Sequence, residues 1–345
     1  MQTSTQQLNA TDIMHVGMGF WPSKVLLTAV NEGLFTELAR QPLPLAEIKK
    51  LFNWNCTNRH AADFLDTLFA LKFLDRQGMG NNAVYSNTNE TDFFLDKNKP
   101  SYIGGILEMA NNRLFRFWAN LDEGLRTGLP QNEIKNGANL FETIYASPEL
   151  LRGFIHGMSG IQLGSFATFA ERFDFSQYKT LCDIGGAGAM LSIQVVKNNP
   201  HMECTSFDLP PVEPIAKEII ESFGLSDNVN TVSGDFFKDE FPSADIITMG
   251  NILHDWNEEK KCVLIKKAYD ALPENGALIV IENIIDNQRS QNVFGLTMSL
   301  NMLIETGEGF DFTLNDFGKW AKAAGFKTVD LLPLAGPSSA AIAYK

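Results

Sequence analysis

The stretch Thr180-Leu181-Cys182-Asp183-Ile184-Gly185-Gly186-Ala187-Gly188-Ala189 decides the fold of this chain. A short, mostly apolar run that predicts a buried strand passes into a turn of glycines and alanines, and the helical run MLSIQVVKN follows from Met190. Small residues let the backbone bend sharply there and come close to a ligand. Such turns serve nicotinamide, flavin and sulfonium cofactors as well as purely structural corners, so this one alone names no chemistry.

Working outward toward the C-terminus, the runs CTSFD, NVNTVSGD, ADIITMG and ALIVIEN alternate with helical stretches such as VEPIAKEIIESFG and EKKCVLIKKAYDAL. That alternation predicts βαβ units and a parallel sheet covered on both faces. KTVDLL and AAIAYK, separated only by PLAGPSS, lie too close for a helical crossover, so an antiparallel hairpin is expected to end the sheet. The second strand ends at Phe207-Asp208, roughly 25 residues beyond Asp183, about where a Rossmann-type fold places an acid for ribose hydroxyls. The competing reading of Asp208 is a helix cap ahead of Pro210. Asp235, in Gly234-Asp235-Phe236-Phe237, borders the same crevice at the strand ends or is a plain turn aspartate. His254, in Leu253-His254-Asp255-Trp256, follows the fourth strand, where a neutral imidazole can accept a hydroxyl proton near physiological pH. Glu282 ends the apolar run ALIVIE, and a charged group there needs a polar partner if it is buried.

Toward the N-terminus, Val25, Leu26, Ala29, Val30, Leu34, Phe35 and Leu38 recur at helical spacing between Pro22 and Pro42, predicting one or two amphipathic helices. Two more helices over 45–52 and 59–74, then a GMGNN turn and the strand-like VYSNT, make a winged-helix pattern. Across 45–90, Lys49, Lys50, Arg59, Lys72 and Arg76 are matched by Glu47, Asp63, Asp66, Asp75 and Glu90, so the basic footprint of a DNA reader is missing. Residues 100–175 are expected to be mostly helical, with Phe115, Phe117, Trp118, Phe141, Phe154, Phe166, Phe169 and Phe173 as core candidates.

The whole chain has 345 residues, 44% of them hydrophobic, which predicts two domains. A formal charge of −13 repels a phosphate backbone, so no nucleic-acid partner is expected. Cys56, Cys182, Cys204 and Cys262 form no CxxC pair and have no histidine at ligand spacing, which predicts neither a zinc site nor a disulfide framework. The N-terminus lacks a basic segment followed by an apolar run, and no stretch has the length of a membrane span. A cytoplasmic protein without membrane association is the expectation.

In that order, DIGGAGA, FDLP, GDFF, ILHDW and IVIEN resemble the caffeate and hydroxyindole O-methyltransferase family, including its bacterial small-molecule members. The resemblance covers nearly the whole chain. It implies an α/β fold: a Rossmann-like seven-stranded methyltransferase sheet over 176–345, behind an N-terminal all-helical winged-helix dimerisation domain over 1–110. A helical connecting segment over 111–175 would contribute to the substrate pocket, and the protein would be a homodimer. The implied cofactor is S-adenosyl-L-methionine, held by Asp183, Gly185, Gly186, Asp208, Leu209, Asp235, Phe236 and Gly250. Within that set, Gly185 lies against the methionine part, Asp208 holds the ribose, and Asp235 with Phe236 borders the adenine.

By the same resemblance His254 is the general base and Glu282 orients its ring. The second supporting carboxylate falls on Asp311, where the family usually has glutamate; the alternative is a cap for a helix over 315–324. Met158 and Met302 match substrate-contact positions, although methionine often only fills gaps. Ala187 and Ala189 depart from the family's glycines, and their methyl groups would narrow the pocket or weaken cofactor binding. The expected reaction is metal-free methyl transfer to a hydroxyl of a small aromatic or cyclic molecule. Three alternatives stand beside it. A nicotinamide-dependent oxidoreductase leaves HDW and Glu282 unexplained. The same fold could run hydroxylation, decarboxylation, or C- or N-methylation. A non-catalytic ligand-binding dimer is the third.

Overall fold

A computed structural model of the chain describes residues 8–99, 101–136, 145 and 147–345; Phe141 lies outside them. The backbone divides into two compact units, one ending at Phe115 and the other beginning at Arg116. Among the described residues no helix is long and apolar enough to cross a membrane, and all four cysteines are free thiols.

In the first unit the periodic run over 24–38 is two helices, Phe20–Glu32 and Leu34–Arg40. Gly33 separates them at φ 78°, a backbone conformation that glycine adopts without a Cβ clash. Helices Leu45–Leu51 and Asn58–Ala70 follow. The expected wing is the hairpin of β2 (Leu74–Gln77) and β3 (Val84–Asn87), and a two-residue β1 (Leu43–Pro44) adds to its edge, in the order β1-β3-β2. Leu34, Phe35, Ile48, Leu65, Leu74 and Tyr85 form the core of this unit. The Tyr85 hydroxyl is satisfied by donating to Asp66 Oδ1 at 2.7 Å.

The second unit is built on β4 (Thr180–Ile184), β5 (Glu203–Asp208), β6 (Val229–Ser233), β7 (Ile246–Gly250), β8 (Ala277–Glu282), β9 (Thr328–Pro333) and β10 (Ser339–Tyr344). Their order is β6-β5-β4-β7-β8-β10-β9. The first five are parallel, while β10 runs antiparallel to both β8 and β9 and sets Ile342 opposite Ile279 and Asp330. The expected terminal hairpin is therefore present. Apolar layers cover both faces: Cys182, Ile247, Leu264, Phe317 and Trp320 on one, Leu181, Val195, Ile246, Ile279 and Phe169 on the other. Burial on both sides explains why β8 reads as the unbroken run ALIVI.

The strand order determines where a ligand can lie. From the central β4 the chain moves to β5 and β6 on one side, then returns to β7 and β8 on the other. A crevice opens where the direction reverses, at the carboxyl ends of β4 and β7. Gly185 follows β4, and Asp208, Gly250 and Glu282 end β5, β7 and β8.

Candidate active site

At the end of β4 the chain turns at Gly185, with φ 70°, and a Cβ there would stand 2.3 Å from Ile252 Cδ1. A Cβ on Gly186 would stand 2.3 Å from Ser206 Oγ and 3.0 Å from Asp183 Oδ2. A side chain at either position would have to displace Ile252 or Ser206, and at Gly185 it would also have to adopt a left-handed backbone. Asp183, buried beneath the turn, accepts from the Thr248 hydroxyl at 2.7 Å. Burial pushes its carboxyl up to about 7. Asp208 accepts from the Ala187 N–H at 2.8 Å and from the Leu209 N–H at 2.7 Å. Burial pushes Asp208 up to about 6 against these two donors. Its carboxylate thus faces back across the glycine turn, and the helix after it starts from Val212, so Asp208 is not a helix cap.

Ala187 and Ala189 take the conformation that glycine would, with φ 45° and 57°. Their methyl groups have different fates. That of Ala189 is fully buried in the apolar layer with Phe169 and Leu191, whereas Ala187 lines the cleft together with Met158, Gln162, Phe166, Gly185, Gly186 and Gly250. Gln162 Oε1 is buried there without a hydrogen-bond partner, an acceptor in want of a donor. Glycine cradle, carboxylate at the end of β5 and orphaned amide oxygen together fit a small polar cofactor with hydroxyl and ammonium groups.

His254 sits in the 3-10 turn Leu253–Asp255 just past β7, nearly fully buried. Its Nδ1 lies 3.4 Å from Glu282 Oε2 and 3.6 Å from Asp311 Oδ1, and its Nε2 lies 3.6 Å from Asp255 Oδ1. Its main-chain N–H also reaches Glu282 Oε1 at 3.3 Å. Burial alone would lower the imidazole pKa, but Glu282, Asp255 and Asp311 outweigh it and push it up to about 10. Glu282 is itself raised by burial, to about 8, and Asp255 to about 6. The donor atoms of His254, Glu282 and Asp311 lie within 4.8 Å of one another, so a cation has room among them; a proton on the imidazole meets that need.

Asp311 reaches this group through its backbone. The Ile285 N–H donates to the Phe312 carbonyl at 2.9 Å, which lays the segment beside the continuation of β8, and the Asp311 N–H donates to Ser299 Oγ at 3.2 Å. A Cβ at Gly309 would stand 2.4 Å from the His254 carbonyl oxygen and 2.7 Å from the Asp255 carbonyl. Glycine therefore lets this segment rest directly on the His254 turn. The helix that follows, Leu314–Ala324, is capped by Thr313 in a capping box with Asp316, so Asp311 is not its cap.

The remaining expected residues are more dispersed. Phe236 packs edge-on against Phe237 and Trp256, and its ring is the next side chain after Ile252 to approach the Gly185 position, at 3.9 Å from a Cβ placed there. The Asp235 carboxylate is taken up locally by the Phe237 N–H at 2.9 Å and by Lys238 at 2.8 Å, the pattern of a turn aspartate. Met158 is in the cleft wall on helix Pro148–Arg172. Met302 is buried on helix Val293–Glu305, which packs against the His254 turn.

A family model described as an O-methyltransferase domain matches residues 118–327, and one described as an O-methyltransferase dimerisation domain matches residues 14–97. This chain belongs to the O-methyltransferase family. It is 37% identical over 334 residues to the tetracenomycin polyketide synthesis 8-O-methyl transferase TcmO of Streptomyces glaucescens, covering 97% of this chain and 96% of that one. The acetylserotonin O-methyltransferase of Bos taurus is 31% identical over 330 residues, 95% of each chain. The crystal structure of human N-acetylserotonin methyltransferase in complex with SAM superposes with a TM-score of 0.88 at 28% identity, over 100% of this chain and 99% of that one. The protein is thus an O-methyltransferase enzyme, which sets aside the nicotinamide oxidoreductase reading.

Sequence reasoning missed three residues that the structure places in or beside this candidate site. Gln162 carried no motif. Asp255 was read only as part of HDW, yet it faces His254 Nε2. Lys261 was not singled out in the helical stretch EKKCVLIKKAYDAL, although it falls on the same helical face as Leu264, Ile265 and Ala268 and is fully buried. That spacing was the available signal.

Proposed function

We propose that this O-methyltransferase moves the methyl group of S-adenosylmethionine to a phenolic hydroxyl of a small aromatic molecule, with His254 as the general base. The cofactor, when bound, brings a methyl group already activated on a sulfonium, so the protein's share is placement and proton removal. Gly185, Gly186, Gly250 and Leu209 would hold it with Asp208 on the ribose, Asp183 supporting the turn from below and Asp235 with Phe236 near the base. Met158 and Met302 are proposed on the acceptor side. The relatives' names specify a polyketide and acetylserotonin as the molecules they methylate, which favours an aromatic hydroxyl.

The observation that carries this reading is the buried imidazole with Nδ1 turned toward Glu282 and Asp311. Those carboxylates favour the tautomer with its proton on Nδ1, and Nε2 is then the atom that takes the hydroxyl proton. Raised to about 10, the imidazole is closely matched to a phenol, whose own pKa is about 10, so transfer between them is near balance. Glu282 and Asp311 stabilise the imidazolium that results.

The test is to incubate the protein with labelled S-adenosylmethionine and a panel of phenols and hydroxyindoles from pH 7 to 10. Label should appear in at least one acceptor, faster as the pH rises, and disappear with His254→Ala. Absence of transfer to every acceptor would overturn the phenolic reading. The dimerisation-domain match supports a homodimer built on residues 1–110, with 111–175 as a helical connection and 176–345 as the catalytic domain; sedimentation as a monomer would reject the dimer.

A further inference from the structure

Lys261 is the one lysine or arginine among the described residues that is essentially withdrawn from solvent. It lies in the first turn of helix Glu258–Ala271, and its ammonium is held between two points that both adjoin the catalytic group. It donates to the main-chain carbonyl of Trp256, two residues past His254, and stands 3.4 Å from the ring centroid of Phe310, the neighbour of Asp311. The ring of Phe312 lies farther off, at 5.9 Å. One carbonyl and two aromatic faces are a poor exchange for water around an ammonium, and among the described residues no carboxylate touches it as an ion-pair partner. The carboxylates whose charge acts on it are Glu282 at the end of β8, Asp311 in the segment after Gly309, Asp255 in the His254 turn and Glu258 on its own helix. Three of these four surround His254, and Glu305 acts on the same group through Asp255.

We propose that Lys261 is a positioning residue for catalysis: a buried counter-cation, clamped under the His254 turn, that limits how tightly the His254–Glu282–Asp311 group holds its proton. The inference rests on His254 being the base. Three carboxylates around one imidazole favour the imidazolium, and an imidazole already protonated cannot accept a substrate proton. A second positive charge nearby repels that proton and restores a usable fraction of free base. Burial drags the ammonium down to about 8, so Lys261 exerts this effect below that pH and loses it above. A Lys or Arg at the surface would be screened by water and could not act in this way.

The experiment compares the wild-type enzyme with Lys261→Met, an uncharged side chain of similar length. The readouts are kcat/KM against pH and the imidazole signals of His254 in 13C,15N-histidine-labelled protein. At pH 7 the variant should lose about tenfold in kcat/KM, and the His254 signals of the wild type should show a step near pH 8, where Lys261 titrates, that the variant lacks. The two pH profiles should converge above about 8, where the wild-type lysine gives up its own proton. Affinity for S-adenosylhomocysteine serves as the control for folding and should be unchanged. Identical His254 signals in the two proteins through the step near pH 8, or a loss of rate that is the same at every pH, would overturn the proposal. Full turnover in His254→Ala would instead sink the base reading, whatever Lys261 does to the imidazole signals. If Lys261→Met does not fold, wild-type protein with 15N-labelled lysine decides the question: the Lys261 ammonium must titrate near 8 and the His254 signals must respond to that step, and independence of the two overturns the proposal.

Discussion

The main-chain N–H of Ala187, a residue with φ 45°, donates to Asp208 Oδ2 at 2.8 Å. The carboxylate proposed for the cofactor ribose thus also ties down the turn beneath it. Asp208→Ala is expected to show two separable effects. S-adenosylhomocysteine affinity should fall by about tenfold to a hundredfold for each charged hydrogen bond lost, and the ligand-free protein should lose about 1–3 kcal/mol because two N–H groups lose their acceptor. Calorimetric titration and thermal melts of the same variant would measure both, and an unchanged affinity would remove Asp208 from the ribose site.

The two alanines of the turn should respond differently to Ala→Gly. At Ala187 the gain from releasing a left-handed alanine, about 1 kcal/mol, is nearly offset by the greater freedom of glycine in the unfolded chain. Stability should stay within about 0.5 kcal/mol and cofactor affinity should hold or improve. At Ala189 the same exchange also removes a buried methyl worth about 0.8 kcal/mol, so it should be net destabilising by about that amount. Denaturant unfolding of the pair would show whether this contrast holds.

Turnover and stability should separate across three residues close in sequence or space. His254→Ala should reduce methyl transfer by roughly two to four powers of ten with S-adenosylhomocysteine affinity nearly intact. Asp311→Asn should slow transfer with little change in melting temperature. Thr313→Ala, by contrast, removes a helix cap and should cost about 1 kcal/mol of stability while leaving turnover near normal. Comparable turnover in the Asp311→Asn and wild-type enzymes would take that carboxylate out of the mechanism.

The stability of the ligand-free protein should decline as pH rises from about 5 to 8. Asp183, Asp208, Asp255 and Glu282 are raised by burial to about 7, 6, 6 and 8. His254 is raised to about 10 by its carboxylates against the effect of burial. In every case the folded state binds more protons than the unfolded chain over this window, where free carboxylates titrate near 4 and free histidine near 6.5, so the slope of stability with pH is negative. The His254 contribution is complete below about 6.5 and is lost on approach to 10. Surface carboxylates with lowered values, such as Asp286 at about 2, lose their contribution only below 4 and do not enter. Melting temperatures that climb from pH 5 to 8 would contradict this balance.

The alternation of runs after Tyr178 made the sheet, its closing hairpin and the crevice legible, because a strand buried on both faces must be apolar throughout. Gly185, Asp208, His254 and Glu282 were legible for a related reason: each ends or follows such a strand and breaks its pattern. Asp311 was given its role only by the family resemblance, with a helix cap as the alternative, because its place depends on a tertiary contact, Gly309 against the His254 carbonyl, that no local periodicity records. Lys261 and Gln162 were hidden because a long polar side chain on a helix ordinarily turns outward, and only packing reveals one that turns inward.

That contact at Gly309 links two positions that look independent. Asp311 is a methylene shorter than the glutamate usual in the family, and the segment carrying it lies so close to the His254 turn that no side chain fits at 309. Reach given up by one residue is recovered by the approach of another. Asp311→Glu is therefore no simple exchange, because the longer acid needs a retreat of the backbone that Gly309 holds down. An exchange at 309 would in turn leave the aspartate short of the imidazole. Changes at 309 and 311 should be strongly non-additive, so that a lineage passing between the two acids would have to change both sites nearly together.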